Sequence, residues 1–241
     1  MCHHNTSFQG YDVLVHHNLQ DGAPADPRIV KNPAPIASLS YPELQLLSGA
    51  GTQVLHESAV APVRAAQIPL QIRSTFAPEL PGTRIGFEAG AGLEKTGVVG
   101  FAGRRAVSML RVLFREETRA DADTLVRACL AQQGIAVFHG SQGVEGLCLL
   151  LIAKPGQDAL HAACDEVRRL LPGAQVKLRE NLAALLALCR TTREVPKLAA
   201  AMESAGVPVH HLVQTPPGAL FCVNDSQYET ALRAAYALAF G

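Results

Sequence analysis

Gly134-Ile135-Ala136-Val137-Phe138-His139 decides how the larger part of this chain is read, because it returns 72 positions later as Gly206-Val207-Pro208-Val209-His210-His211. Gly146-Leu147-Cys148-Leu149 returns at the same offset as Gly218-Ala219-Leu220-Phe221, and Ala159-Leu160 with Ala163 return as Ala231-Leu232 with Ala235. Three separated blocks at one offset imply two copies of one structural unit.

Both copies have the same grammar. In the first, the apolar run 107–113 predicts a strand, and Ala122, Leu125, Val126, Cys129 and Leu130 recur at helical spacing up to a stop at Gly134. Strands follow at 135–139 and 147–152, then a helix through Leu160, Ala163, Cys164, Val167 and Leu171, then a closing strand at 176–178. The second copy reads strand 182–189, helix 195–204, strands 207–212 and 219–223, and helix 227–238. The order βαββαβ predicts a ferredoxin-like arrangement, with helices on one face of an antiparallel sheet.

Upstream lies a different kind of stretch, 40–85, SYPELQLLSGAGTQVLHESAVAPVRAAQIPLQIRSTFAPELPGTRI. Ser40 precedes Glu43 by three, the spacing of a capping box, and Leu44, Leu46 and Leu47 continue a helix that Gly49 and Gly51 end. A second amphipathic helix runs through Ala59, Val60 and Val63, with Pro62 expected to interrupt it. Residues 68–73 alternate as a half-buried strand, Pro81-Gly82-Thr83 is a turn, and Arg84-Ile85 restarts extended chain. Tyr11 to Val15 is a further strand, and the small, polar run 86–97 reads as a linker in which Gly90-Ala91-Gly92 is plain flexibility.

Composition narrows the classes. The 241 residues are 48% apolar and 17% charged, enough for one or two domains with a substantial core. Lysine plus arginine equals aspartate plus glutamate at 21 each, so no global field favours nucleic acid or an anionic membrane. Six cysteines without a C-x-x-C pair predict buried thiols of a reducing compartment. No charged start followed by a long apolar run opens the chain, and the apolar run 147–153 is too short to span a bilayer. The expectation is a cytoplasmic protein with neither a membrane nor a nucleic-acid partner. His3, His4, His16 and His17 read as solvated imidazoles, so no metal is expected.

Several motifs then agree in order: Ala25-Asp26-Pro27-Arg28-Ile29-Val30, S-Y-x-E at Ser40 to Glu43, V-L-H at Val54 to His56, I-P-L-x-I-R-S-T-F at 68–76, and P-G-T at Pro81 to Thr83. Over 21–85 the chain resembles the end of the catalytic domain of aspartokinases, and the two repeats behind it resemble that family's tandem ACT regulatory domains. The resemblance implies an α/β fold: a portion of an amino-acid kinase domain over 1–89, one ACT-like domain over 97–179 and another over 180–241. It implies ATP with magnesium as the phosphoryl donor, nucleotide contacts at Asp26, Arg28, Gln53 and Val54, and effector contacts at Thr118, Asp121, Ile135 and Gln142. An effector would be lysine or threonine. Partners would be a second copy, joined through the ACT domains, and a full-length aspartokinase chain.

Departures from the family pattern shape the functional expectation. Gln53 stands where the family's G-A-K-V-L-H carries a lysine, and an amide cannot offset phosphoryl charge. Glu57 replaces the proline after V-L-H. The K-F-G-G motif does not occur, so no catalytic residue is assigned and the chain alone is expected not to phosphorylate aspartate. In place of the D-x-P-G loop stand Thr118-Arg119-Ala120-Asp121, and the S-T-S-E of the second unit reads Val213-Gln214-Thr215-Pro216. Three readings stay open: a regulatory or noncatalytic aspartokinase subunit, part of an active aspartokinase, and a stand-alone amino-acid sensor.

Overall fold

The computed structural model describes residues 13–17, 29–30, 36–50, 57–66, 68–74, 81–87, 97–114, 119–143, 146–152 and 156–241. The amino-terminal layer starts from the capping box read in the sequence. Ser40 Oγ accepts the Glu43 amide and Glu43 Oε2 accepts the Ser40 amide, which fixes the start of helix α1 (Tyr41–Gly49). Leu44 and Leu47 face the core, one turn apart. Helix α2 (Glu57–Ala65) passes through Pro62 rather than breaking there. Pro62 is the sixth of nine residues, so the helix gives up the one amide bond that would reach back to residue 58, yet it continues, with the Pro62 carbonyl accepting the Ala66 amide at 3.0 Å.

Against these helices lies a four-stranded sheet of β1 (Val13–His17), β2 (Ser38–Ser40), β3 (Leu70–Ser74) and β4 (Thr83–Gly86), in the order β1-β3-β4-β2. β1 runs parallel to β3, β3 antiparallel to β4, and β4 parallel to β2. Leu39, Leu70, Ile72 and Ile85 are buried, and Thr83, also buried, donates its hydroxyl to the Ile36 carbonyl at 2.7 Å.

The repeats follow as β5 (Val98–Leu113), α3 (Arg119–Gln132), β6 (Ala136–Gln142), β7 (Gly146–Ile152), α4 (Gln157–Leu170), β8 (Gln175–Cys189), α5 (Glu194–Ser204), β9 (His211–Gln214), β10 (Gly218–Asn224) and α6 (Tyr228–Phe240). The chain divides into two compact units. The smaller comprises Arg105–Ala183 with Asn224–Ser226; the larger takes the described residues up to Arg104, Ala184–Val223 and Gln227–Gly241.

Both long strands therefore serve twice. In the smaller unit the sheet order is β6-β7-β5-β8, and in the larger it is β5-β8-β10-β9. Each places the first strand of a βαββαβ unit beside its third and fourth, the ferredoxin-like order. The sequence showed no closing strand after the second copy's last helix. The structure supplies it from upstream, as the first half of β5. The expected strands 176–178 and 182–189 are one continuous β8, and 207–212 shortens to β9. Ala106 and Asn181, each at φ 56°, mark where β5 and β8 cross the unit boundaries.

The shared glycines explain the shared spacing. Gly134 and Gly206 end α3 and α5 at φ 66° and 76°, and behind them Ile135 and Val207 donate to the carbonyls of Leu130 and Met202. In the smaller unit Leu110, Val112, Leu147, Leu149 and Leu151 meet Val126, Leu130, Leu160 and Val167 in one core.

Candidate functional site

In the smaller unit the candidate effector residues start at the helix end. Asp121 lies exposed in the first turn of α3, where the free amides of a helix start favour negative charge. Ile135 is 4% exposed, packed into the helix-facing core, with its amide donated to Leu130. Gln142 ends β6, exposed, opposite Leu147. Leu147 faces the core, so Gln142 shares the helix side of the sheet, and its neighbour Ser141 takes the other face. Asp26, Arg28, Gln53, Val54 and Thr118 lie outside the described residues.

On that other face is a groove of about 380 Å³ lined by Arg111, Leu113, Ser141, Gly143, Gly146, Leu147 and Cys148. Arg111 and Cys148 are register partners across β5 and β7. Burial pushes the Cys148 thiol up, and the Arg111 guanidinium partly offsets this. The groove therefore presents one cation and one hydroxyl over an apolar floor. Among the described residues no group of three or more His, Cys, Asp or Glu side chains could hold a metal ion.

In the larger unit the comparable connection is the turn after β8. Arg190 donates its amide to Gly97 O at 2.9 Å, and Thr191 packs against Gly97. The Arg190 side chain reaches the amino-terminal layer: Nε donates to Glu43 Oε1 at 3.0 Å and Nη2 to Ser38 O at 3.1 Å. Glu43 is 1% exposed. Sequence reasoning assigned Glu43 only to the helix cap and missed Arg190. Its signal was an arginine closing the wholly apolar run Leu182 to Cys189, a position from which a charged fork must find a partner. At the same end of that unit, where Cys189 donates its amide to Pro217 O, Thr215 donates its amide to Gly218 O, matching the Gly143 to Gly146 bond in the first repeat.

Neighbouring Cys189 is deeply buried, which pushes its thiol up to about 12, with the Glu194 carboxylate adding to the effect. Such a thiol is a packing group rather than a nucleophile at neutral pH.

No protein-family model matches the chain. In sequence it is similar to aspartokinase 3 of Bacillus subtilis, 24% identical over 221 residues, which is 88% of this chain and 48% of that protein. Its fold superposes on the Clostridium acetobutylicum aspartate kinase with a TM-score of 0.83 at 23% identity, over 95% of this chain and 54% of that one. The regulatory subunit of aspartate kinase from Thermus flavus, over its entire length, matches 61% of this chain with a TM-score of 0.50 at 22% identity. The chain thus spans about half the length of the aspartokinases it matches.

Proposed function

We propose that this aspartokinase relative, which carries the fold of the carboxy-terminal, regulatory half of aspartate kinases, works as the amino-acid-responsive part of an aspartate kinase system rather than as its phosphoryl-transferring centre. The observation that carries the reading is the pair of ferredoxin-like units sharing β5 and β8, attached to a kinase-like layer of sheet and helices. Gln53 supports it further: at a phosphate-facing position an amide offers a hydrogen bond but no charge. ATP and magnesium would meet this chain at Asp26, Arg28, Gln53 and Val54, as ligands held without turnover.

The effector class is a free amino acid, lysine or threonine, approached through Asp121 and Gln142. A second copy would join through β6, the terminal strand of the smaller unit's sheet, whose outer line of backbone groups suits strand pairing. A full-length aspartokinase chain is the other partner.

The test is ADP release from ATP, magnesium and L-aspartate by the purified chain, alone and with a full-length aspartokinase, with lysine or threonine titrated in. No turnover alone, together with an altered effector response of the added kinase, is the expected result. Sustained turnover by the chain alone would overturn the proposal.

A further inference from the structure

Glu43 is the one fully buried charged residue among those described, and a helix cap does not require that burial. Capping glutamates sit at helix starts where water can solvate the second oxygen. Here the two oxygens are divided: Oε2 accepts the Ser40 amide at 2.6 Å, closing the cap, and Oε1 accepts Arg190 Nε at 3.0 Å. Arg190 uses a second arm of its fork on Ser38 O, the first residue of β2. One guanidinium thus holds the strand that enters α1 and the carboxylate that starts it. Its own backbone is tied to the head of β5 through Gly97 O.

We propose that Arg190 is a strut that makes the β8–α5 connection and the first turn of α1 a single conformational unit, so that a change imposed on residues 190–193 is read at α1. The physical reason is the cost of separating them. Withdrawing Arg190 would leave a carboxylate in the interior without its cation, a situation far less favourable than the paired one. The carboxylate could then recover only by turning outward, and turning outward opens the cap. The loop therefore cannot shift while α1 stays as it is. Any ligand that prefers one arrangement of the loop must shift the other by the same coupling, in both directions.

This inference deepens the regulatory reading and rests on it for its purpose. The connection after the first strand of an ACT-like unit is where the resemblance puts an effector, and α1 leads directly into 51–56, which carries Gln53 and Val54. Arg190 would be a positioning residue, touching neither ligand.

Amide hydrogen exchange on the full chain tests it, comparing the unmodified protein with Arg190→Lys, Glu43→Gln and the double variant. Each single variant is expected to speed exchange by about tenfold or more in both 38–47 and 190–197, while 119–152 is unchanged, and the double variant is expected to add little beyond the larger single effect. Effects confined to the segment that carries each substitution, or a double variant equal to the product of the two singles, would overturn the proposal. If Glu43→Gln unfolds the chain, Glu43→Asp, which keeps the charge but withdraws it from Arg190, is read by the same two-segment criterion. The readout needs neither nucleotide nor effector. A negative result here leaves the regulatory proposal to its assay, and a failed assay leaves the strut to exchange.

Discussion

Asp225 accepts the amide of Ala106 on Oδ1 at 3.0 Å, and Ala106 is the residue held at φ 56° inside β5. The same carboxylate takes Arg105, with Nη2 2.7 Å from Oδ2. An alanine has no intrinsic preference for that backbone region, so the bend persists because Asp225 satisfies the amide it turns outward. Asp225→Asn is expected to destabilise the protein by about 1–2 kcal/mol at pH 7, near the low end for a charge-assisted bond because Arg105 is half exposed. Urea unfolding of the two proteins measures it.

The pH dependence of that difference has a fixed sign. The hydrogen bond from Arg105 is the main cause holding the Asp225 carboxyl below its ordinary range, opposed by partial burial and supported by the Ala106 amide. A group depressed in the folded state contributes its stability above the unfolded carboxylate pKa of about 4 and loses it as pH falls through the folded value. The gap between unmodified protein and Asp225→Asn should therefore be flat from pH 7 to about 5 and close below about 4. A gap that widened on acidification would show that Asp225 is not the anchor of the bend.

Gly146 and Gly218 occupy equivalent places at the start of β7 and β10. A Cβ on Gly146 would stand 2.3 Å from Val112 O, and one on Gly218 would stand 2.6 Å from Ala187 O, both backbone atoms that cannot swing aside. Gly146→Ala and Gly218→Ala should each cost about 1–3 kcal/mol by forcing neighbouring strands apart. Gly49→Ala is the control. Nothing lies within 4 Å of its Cβ and the position is helical, so a gain of up to about 1 kcal/mol is expected. Thermal unfolding of the three variants gives the signs.

These glycines also show what the sequence could and could not reveal. Gly134 and Gly206 are demanded by the left-handed backbone that ends α3 and α5, and Gly146 and Gly218 by the close backbone of a neighbouring strand, so all four recur at one offset and expose the repeat. The capping box at Ser40 and Glu43 is equally local and was legible. The exchange of strands was not: residues 98–104 pair with a strand more than eighty positions downstream, and nothing in their own spacing names that partner. For the same reason Glu43 was legible as a cap while Arg190, 147 positions away, was not, because only the fold brings the two to 3.0 Å. Pro62 misled because a proline removes one bond of the ladder without forbidding the bonds on either side of it, and the Ala66 amide still closes onto its carbonyl.

Cys189 should be chemically silent in the folded protein. With its thiol pushed up to about 12 by burial, almost none is thiolate at pH 8, and the side chain is 4% exposed as a residue. Alkylation at pH 8 followed by peptide mapping is expected to leave Cys189 unmodified for hours, with complete labelling once the protein is unfolded in urea. Labelling of Cys189 as fast as a free thiol in the native protein would mean that the end of β8 opens readily, contrary to its packing.

The reciprocal use of β5 makes a sharper demand at Gly103, which lies in the half of that strand belonging to the larger unit. A Cβ there would stand 2.0 Å from the hydroxyl oxygen of Tyr228 and 2.5 Å from two ring carbons. Tyr228 is 5% exposed at the start of α6, so its ring has little room to retreat. Gly103→Ala should destabilise the larger unit by about 1–3 kcal/mol, and the penalty should fall when Tyr228→Ala is added, because the second substitution removes the obstructing ring. Hydrogen exchange locates the damage. If 98–104 closes the larger unit's sheet, exchange rises over 184–189 and 228–240. It stays unchanged over 122–132 and 157–170, although Gly103 is far nearer to α3 in sequence than to α6. A rise in the helices of the smaller unit instead would assign the first half of β5 to the wrong unit.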